Sequence, residues 1–227
     1  SLYNSTIAFV NKQPADYTRF DHFTFIRDYV NPLFQMNRQF IDQYQVFTKS
    51  YVDYSLNESV NSIFSKDLYF EKNKKGIFLR VTDKNVLQEI EKIGKLLFYD
   101  PVLSGNNQRS CNSCHKSTAY FTDTILSTSF QFDRQNSLSR NTPSLINAGY
   151  NHLLMLDGKH ISTLGQAKDV LANPLELGSN EKEVIQKVLS CNEYKKAFKS
   201  FLKYTPQEKE VTIDHIVSAI IIYYSKF

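Results

Sequence analysis

The pentapeptide Cys111-Asn112-Ser113-Cys114-His115 is the stretch on which the organisation of this chain depends. Two thiols three positions apart, followed at once by an imidazole, have the spacing of a c-type haem attachment. Each thiol of such a motif forms a thioether with one vinyl group of the porphyrin, and the histidine ligates the iron through a neutral ring nitrogen. The spacing therefore predicts one covalent haem c bound by Cys111 and Cys114, with His115 as the proximal ligand of the haem iron.

Two other chemistries use paired cysteines, and the surrounding residues favour neither. A thioredoxin-like redox couple follows a strand, whereas residues 104–110 have the composition of a turn. A zinc site needs four ligands. The remaining cysteine and histidines show no ligand spacing; they are Cys191, His22, His152, His160 and His215. Haem attachment is the interpretation that remains, and Cys191 is expected to be a buried thiol in a helix.

Length and charge exclude several classes of protein. The 227 residues suffice for one large domain or two small ones. The net charge is +4 and the largest basic run is Lys72-Asn73-Lys74-Lys75, so no binding to nucleic acid is predicted. The longest apolar stretch, residues 216–224, is too short to span a bilayer, so the chain is not expected to be transmembrane. It begins at Ser1 rather than at a methionine, which predicts a processed or trimmed form.

The first third of the chain has a helical pattern without a catalytic constellation. Residues 1–16 lack periodicity and are expected to be extended. Asp21 is predicted to cap a helix that Pro32 should kink or divide. The apolar residues of this helix recur at helical spacing; they are Phe23, Ile26, Val30, Leu33, Phe34, Phe40, Ile41, Tyr44 and Phe47. Ser55 and Glu58 form a predicted capping box, so the region is expected to be a helical hairpin or small bundle.

A charged connector with a helix-breaking glycine, residues 71–76, marks the predicted boundary between two domains. We expect residues 1–78 to form a small N-terminal helical region of unknown role. Residues 79–227 are expected to form the haem domain, and Asp83 is predicted to cap its first helix, which ends near Phe98.

The haem domain is expected to be helical at both ends and irregular in between. The stretch 116–163 has few regular signals, and wrapping around a large prosthetic group would explain a segment of this kind. Three helices follow it: residues 181–189 capped by Asn180, residues 192–202, and a last helix capped by Thr212. No strand pattern competes in this half, so the predicted fold class is mainly α.

An ordered series of motifs surrounds the pentapeptide. The motifs are Gly94-Lys95-Leu96-Leu97-Phe98-Tyr99-Asp100-Pro101-Val102-Leu103-Ser104, Phe121-Thr122-Asp123, Arg140-Asn141-Thr142-Pro143-Ser144-Leu145, Leu156-Asp157-Gly158-Lys159, Gln166-Ala167 and Pro174-Leu175-Glu176-Leu177. Over about residues 83–227 this series resembles the N-terminal haem domain of bacterial di-haem cytochrome c peroxidases. That group includes the maturation peroxidase of methylamine dehydrogenase.

The resemblance implies a cytochrome c-like α fold around a peroxidatic haem that reduces hydrogen peroxide in the periplasm. In the family, a second, C-terminal haem domain takes electrons from a small donor protein such as a monohaem cytochrome and passes them on. No second Cys-x-x-Cys-His occurs in this sequence. We therefore expect a fragment of a longer protein that lacks the C-terminal haem domain, with a stand-alone single-haem protein as the alternative.

The resemblance also assigns residues to the site. Glu176 stands at the position of the family's catalytic glutamate, which moves a proton between the peroxide oxygens. Gln166 matches the glutamine that lines the same side of the haem and orients peroxide. Arg140 is expected to pair with a haem propionate or a nearby carboxylate, with a surface cation as the alternative. Asn141 matches a contributor to an inter-domain calcium, which needs about six to eight oxygen ligands, so calcium is expected only if the second domain is present.

Two departures from the family pattern bear on the chemistry. Many members carry a distal histidine soon after the haem motif, but none lies between His115 and His152 here. The iron is therefore predicted to be five-coordinate or water-bound. Leu156 stands where the family commonly has a tryptophan between the two haems, and a leucine cannot be oxidised as an indole can.

Three further interpretations remain open from the sequence. A pure electron carrier would fill both axial positions of the iron, with His152, Met155 or His160 as the sixth ligand. A maturation or sensor protein would use the same haem to oxidise a protein partner, although Leu156 argues against long-range oxidation through a bridging tryptophan. In a host that does not attach haem, Cys111 and Cys114 would stay as thiols or oxidise.

Overall fold

The computed structural model describes residues 1–46, 57, 59, 60, 62, 65, 72–151 and 153–227. The chain divides into two compact units, Ser1–Phe70 and Glu71–Phe227. Both units are helical, and β structure in the described residues is limited to three isolated bridges. The predicted fold class, mainly α, is confirmed.

The first unit begins with a helix that the sequence analysis missed. Helix α1 spans Leu2–Lys12, so the expectation that residues 1–16 are extended is wrong. Its Phe9 ring lies 4.6 Å from the ring of Tyr29 and 6.1 Å from those of Phe20 and Phe25. These ring contacts, and not an apolar stripe along the helix, stabilise α1. The sequence of residues 1–16 therefore has no periodic pattern that predicts a helix.

The predicted division of the next helix near Pro32 is observed as a change of hydrogen bonding. Helix α2 (His22–Phe25) is capped by Asp21, as predicted, and continues through the π-helical turn Ile26–Val30 into α3 (Asn31–Tyr44). A proline has no N–H to donate one turn back, and a π turn just before it accommodates the missing bond. The predicted capping box at Ser55 and Glu58 lies outside the described residues.

The second unit contains six α-helices in its described residues. They are α4 (Lys72–Lys75), α5 (Lys84–Tyr99), α6 (Thr163–Ala172), α7 (Glu181–Ser190), α8 (Asn192–Phe201) and α9 (Ile213–Tyr224). Asp83 and Asn180 accept hydrogen bonds from the N–H groups of Asn85 and Glu183, and Thr212 forms a capping box with His215. The caps predicted for α5, α7 and α9 are confirmed, and the bounds predicted for α5, α7 and α8 hold to within two residues. Helix α6 was not predicted.

Helix α9 runs through the centre of this unit and is buried on almost every side. The core around it is apolar and includes Phe78, Ile90, Leu97, Phe98, Val184, Phe198, Ile216, Val217 and Ile221. Helices α5 and α9 cross closely at Gly94, where a Cβ atom would lie 1.8 Å from the carbonyl oxygen of Ala219. The unit is therefore held together by one core that the chain's last helix organises.

The unit begins a few residues before the predicted boundary. Residues 72–75 form a short helix rather than a connector, and Gly76, with φ +51°, lies against Ser218 of α9. The N–H of Ile77 donates to the Ser218 hydroxyl at 2.9 Å, and Phe78 is fully buried. Residues 77 and 78, directly after the charged run, therefore belong to the core, although the run itself predicted a connector.

The stretch between α5 and α6 is irregular, as predicted. It contains short 3-10 turns at Cys111–Ser113, Ser117–Ala119 and Ala148–Tyr150 and little other regular structure. Cys191 was expected inside a helix. It lies instead half-buried at the junction of α7 and α8, with its thiol 3.0 Å from the Glu193 carboxylate. Within the described parts of the chain, no helix reaches the length and hydropathy that a bilayer crossing demands.

Candidate active site

The two thiols of the pentapeptide lie in one turn of 3-10 helix. Ser110 and Ser113 cap this turn reciprocally, and the N–H of His115 donates to the carbonyl of Cys111 at 2.9 Å. Cys111 and Cys114 are half-buried and form no disulfide. Burial raises the pKa of Cys111 to about 12. A redox dithiol needs an accessible thiolate, so this environment favours the covalent attachment of a group over thiol exchange.

The imidazole of His115 has the orientation of a metal ligand. Its Nδ1 lies 3.0 Å from the carbonyl oxygen of Phe121. A carbonyl only accepts hydrogen bonds, so Nδ1 carries the proton in this contact, and Nε2 is the nitrogen that could bind a metal. The backbone of Pro143 also lies within hydrogen-bonding range of the ring. Burial lowers the pKa of His115, which keeps the ring neutral.

A strained loop directs the Phe121 carbonyl at His115. Tyr120 and Phe121 have φ of 58° and 54°, a left-handed conformation that is uncommon for residues with side chains. The loop is closed by a hydrogen bond of 3.2 Å from the Lys116 N–H to the Thr122 carbonyl, and by an ion pair of 2.9 Å between Lys116 and Asp123. The Asp123 side chain is only 2% exposed. Strain of this kind persists where the surroundings over-determine the backbone.

The segment that begins at Arg140 holds this loop from outside. Ser144 donates to the carbonyl of Tyr120 at 2.6 Å, and the Thr122 hydroxyl donates to the carbonyl of Thr142. Arg140 and Asn141, the two residues selected from the sequence, are both exposed. Thr142 and Ser144 make the contacts instead, and nothing in the spacing distinguished them.

Glu176 lies in a tight turn directly after α6. The side chain of Asn173 donates to Glu176 Oε1 at 3.1 Å, and the backbone N–H of Gly178 closes the turn onto the Asn173 carbonyl at 2.9 Å. Burial raises the pKa of Glu176, against the opposing hydrogen bond from Asn173. A carboxyl group whose pKa is moved towards neutrality is suited to donate and accept protons.

The loop that carries Glu176 is bonded to the loop that precedes the pentapeptide. The N–H of Gly105 donates to the carbonyl of Leu177 at 2.9 Å, and Lys187 donates to the carbonyls of Ser104 and Gly105. A Cβ atom at Gly105 would lie 2.3 Å from the carbonyl oxygen of Gly178, so glycine is required at this approach. Backbone hydrogen bonds therefore join the loop of the predicted acid/base, Glu176, to the loop that precedes the predicted attachment cysteines.

Gln166 lies half-buried on α6, one turn before Asp169. Among the described residues no hydrogen bond joins the side-chain amide of Gln166 to another group, and none links it to Glu176. Asp169 accepts from Lys159 at 2.8 Å and from His160 at 3.0 Å. The charge of Asp169 helps to raise the pKa of Glu176, so this turn of α6 lies within electrostatic range of the carboxylate.

Arg109 is the residue near the thiols that sequence reasoning missed. It is 6% exposed, and its Nη2 donates to the carbonyl of Phe130 at 2.7 Å and to the Cys114 sulfur at 3.3 Å. Its Nη1 is buried without a partner among the described residues. Arginines are seldom fully buried unless they are paired, so the burial of Arg109 is unusual. The sequence of the turn gives no signal that predicts it.

The three residues named as possible sixth ligands of the iron lie in different environments. His160 is held by Asp169, Met155 is 44% exposed, and His152 lies outside the described residues. Leu156 is 88% exposed on a turn that positive φ at Met155 and Gly158 forms.

These residues fit a covalent haem. Two thiols that form no disulfide adjoin a neutral imidazole whose Nδ1 is held by the Phe121 carbonyl, and a buried guanidinium beside one thiol has a donor to spare. The described residues contain no group of three or more histidine, cysteine or acidic side chains that could hold a metal ion. The expected calcium at Asn141 thus stays a prediction.

Comparison with known proteins agrees with this geometry. The family model described as di-haem cytochrome c peroxidase matches residues 88–227, more than half of the chain. The cytochrome c551 peroxidases of Nitrosomonas europaea and Pseudomonas aeruginosa are both 34% identical to it over 62% and 61% of this chain. Those matches cover 40% and 39% of the relatives, so the chain spans well under half of their length. The methylamine utilization protein MauG of Methylorubrum extorquens is 26% identical over 56% of this chain and 35% of that protein.

Solved structures show the same likeness. A MauG-like protein associated with microbial copper homeostasis superposes with a TM-score of 0.53 at 27% identity, over 61% of this chain and 40% of that one. The di-haem peroxidase BthA of Burkholderia thailandensis, at 20% identity, shares the fold with a TM-score of 0.51, over 63% of this chain and 38% of its own. The chain belongs to the di-haem cytochrome c peroxidase family.

Proposed function

We propose that this chain is the peroxidatic haem unit of an exported di-haem cytochrome c peroxidase. The whole enzyme would reduce hydrogen peroxide to two waters with two electrons and two protons. The electrons would come from a small donor protein, such as a monohaem cytochrome, through a second haem domain that these 227 residues do not include. The observation that carries the proposal is the half-buried carboxyl group of Glu176, with its raised pKa, on the scaffold of the attachment site.

Three residues would hold the haem. Cys111 and Cys114 would bind it as thioethers, and His115 would ligate the iron through Nε2 while Phe121 fixes the ring. The bound haem would supply a redox centre that takes up electrons and binds peroxide at its open face.

Glu176 would move the proton that cleavage of the O–O bond requires. Asn173 holds Oε1, so Oε2 is the atom left to take a proton from the near peroxide oxygen and return it to the far one, which leaves as water. Gln166, whose side-chain amide makes no hydrogen bond within the described residues, would orient the peroxide. Arg140 and Asn141 are exposed, so any role in pairing with another domain, or in calcium binding with it, belongs to the assembled enzyme.

The test is peroxide turnover by haem-loaded protein, made in a periplasm that attaches haem c. Wild type should gain the mass of one covalent haem in this unit and show a high-spin ferric spectrum. Glu176→Gln should lose at least about 100-fold in turnover, the usual contribution of a general acid/base, with the haem spectrum retained. The exposed Glu210→Gln is the matched control and should not change the rate.

Either of two results would contradict the proposal. Unchanged turnover in Glu176→Gln would remove its assigned role. A low-spin ferric spectrum that peroxide does not alter would mean that both axial positions are filled, and would favour an electron-transfer module.

A further inference from the structure

Two tyrosine hydroxyls meet beside the loop that holds His115. Tyr99, at the end of α5, and Tyr223, on α9, have their hydroxyl oxygens 3.3 Å apart. The Tyr99 hydroxyl donates to the Ser117 hydroxyl at 2.8 Å, and Ser117 lies two residues after His115. Because Ser117 engages the proton of Tyr99, Tyr223 is the donor in the hydrogen bond between the two phenols.

Packed aromatic rings connect this pair to the same loop. The ring centroid of Tyr223 lies 5.3 Å from that of Phe98 and 6.3 Å from that of Phe121, both in edge-to-face contact. Phe121 is the residue whose carbonyl oxygen holds Nδ1 of His115. The ring contacts therefore run from the residue that orients the predicted iron ligand to Tyr223, at one end of the phenol pair.

The two phenols differ in their access to solvent. Tyr223 is buried, whereas Tyr99 is 38% exposed and Ser117 is exposed. Burial raises the pKa of Tyr223, so this phenol is protonated at neutral pH. Its oxidation must release the proton, because a charged product would be costly to bury. Within the described residues, the Tyr99 oxygen is the one polar atom bonded to the Tyr223 hydroxyl, and Ser117 connects Tyr99 with solvent.

We propose that Tyr223 and Tyr99 form a redox-active pair that carries electrons from a small one-electron donor at the surface to the haem. The chain contains 14 tyrosines and no tryptophan, so phenols are its most readily oxidised aromatic side chains. Tyr223 gives one electron to the haem that peroxide has oxidised, and its O–H bond breaks. The proton passes to Tyr99, the Tyr99 proton to Ser117 and a Ser117 proton to solvent, which leaves a neutral tyrosyl radical at Tyr223. A donor at Tyr99, such as hydroquinone, returns one electron and one proton and is itself oxidised to a radical.

This inference rests on the proposed function in one respect, that peroxide oxidises a bound haem. The experiment mixes the haem-loaded protein with hydrogen peroxide and records rapid-freeze electron paramagnetic resonance spectra. Wild type should show a tyrosyl radical, and added hydroquinone should shorten its lifetime. Tyr99→Phe keeps the ring but removes the proton acceptor, so the radical signal should be lost, as in Tyr99→Phe/Tyr223→Phe. Tyr150→Phe, which alters another exposed tyrosine, is the matched control and should keep the full signal.

A second measurement separates the loss of a redox pair from a loss of structure. Each variant should bind one haem, with the ferric absorption spectrum and thermal unfolding of the wild type, because each substitution removes only a hydroxyl and keeps the ring contacts. If Tyr99→Phe/Tyr223→Phe does not accumulate, Tyr99→Phe alone decides, since its ring is partly exposed.

The outcomes distinguish this inference from the proposed function. A full radical signal in Tyr99→Phe, or a signal that persists in the double variant, places the radical elsewhere and overturns the inference alone. A wild type that consumes peroxide without forming a tyrosyl radical has the same consequence. A radical that Tyr99→Phe removes, in protein that does not turn over peroxide with a donor protein, supports the pair and contradicts the proposed function alone. A haem that peroxide does not oxidise overturns both.

Discussion

At the scale of single residues, Glu176 is a carboxyl group that folding places in an unfavourable environment. Burial raises its pKa above the ordinary value of 4.5. The protonated form is therefore favoured in the folded chain, and the wild type is at its most stable, relative to a neutral variant, below pH 4.5. That advantage is lost as the pH rises through the raised pKa.

Glu176→Gln should consequently stabilise the haem-free chain at pH 7 and have little effect at pH 4. The amide keeps the shape of the side chain and removes the charge that burial disfavours. Thermal unfolding of both proteins across this pH range measures the difference. The exposed Glu210→Gln should show no such dependence, and a Glu176→Gln effect that is largest in acid would contradict the assigned environment.

Asp123 is the opposite case, a buried carboxylate that its neighbours stabilise. Burial alone would raise its pKa, but the ion pair with Lys116 and the N–H groups of Ile125 and Leu126 outweigh burial and lower the pKa below 3.8. Its contribution to stability is therefore present above pH 3.8 and lost as the pH falls through the lowered pKa.

Asp123→Asn should cost about 1–3 kcal/mol at pH 7, because Lys116 is left without its partner. Urea unfolding at pH 7 and at pH 3 tests this, since the difference from wild type should shrink in acid. Asp157→Asn, which alters an exposed carboxylate with one backbone contact, should change stability by less than about 0.5 kcal/mol. Equal losses in the two variants would show that the Lys116 pair does not hold the loop.

At the scale of helices and turns, the sequence predicted those elements whose signals are local. Asp83, Asn180 and Thr212 cap their helices where the pattern placed them. Helices α1 and α6 were missed. The first is stabilised by Phe9 against rings distant in sequence, and the second follows an irregular stretch and carries the polar residues Gln166 and Asp169. Contacts of this kind, like the burial of Arg109, are settled only when the chain is folded.

The crossing of α5 and α9 gives the sharpest test at this scale. Gly94→Ala would improve the intrinsic helix propensity of α5 by up to about 1 kcal/mol. It would also place a methyl group 1.8 Å from the Ala219 carbonyl, which backbone atoms must move to avoid. We expect a net loss of about 1–3 kcal/mol, measured by denaturant unfolding.

Gly165→Ala is the matched control on α6. Its added Cβ atom would lie 3.3 Å from the Ser162 hydroxyl and 3.7 Å from His160, so a small shift of flexible side chains suffices. This variant should be close to wild type in stability. A Gly94→Ala protein that is as stable as Gly165→Ala would contradict the close crossing of α5 and α9.

At the scale of the whole molecule, the family's motifs correctly predicted the family and the helical fold of the second unit. The charge pattern predicted the start of that unit less accurately. The predicted boundary came after Phe78 because the run Lys72-Asn73-Lys74-Lys75 reads as a solvated connector. The structure instead places Ile77 and Phe78 against the last helix. Charge alone does not reveal that the residues directly after such a run are buried.

The division of the chain leads to a final prediction about folding. Among the residues that the structure describes, every buried member of the hydrophobic core, from Phe78 to Tyr224, belongs to the unit Glu71–Phe227. A unit that contains its own core is expected to fold alone. We therefore expect the fragment 71–227, produced in a periplasm that attaches haem c, to fold, to bind one haem and to melt within a few degrees of the 227-residue chain.

The fragment 79–227, cut at the boundary that the sequence suggested, is the informative comparison. It lacks the Ile77 N–H that bonds to Ser218 and the fully buried Phe78 ring. Removing a buried phenylalanine alone costs about 3–5 kcal/mol, so this fragment should unfold at a markedly lower temperature or fail to accumulate. If both fragments were equally stable, Phe78 would not be part of the core. If neither folded, the haem unit would depend on residues 1–70.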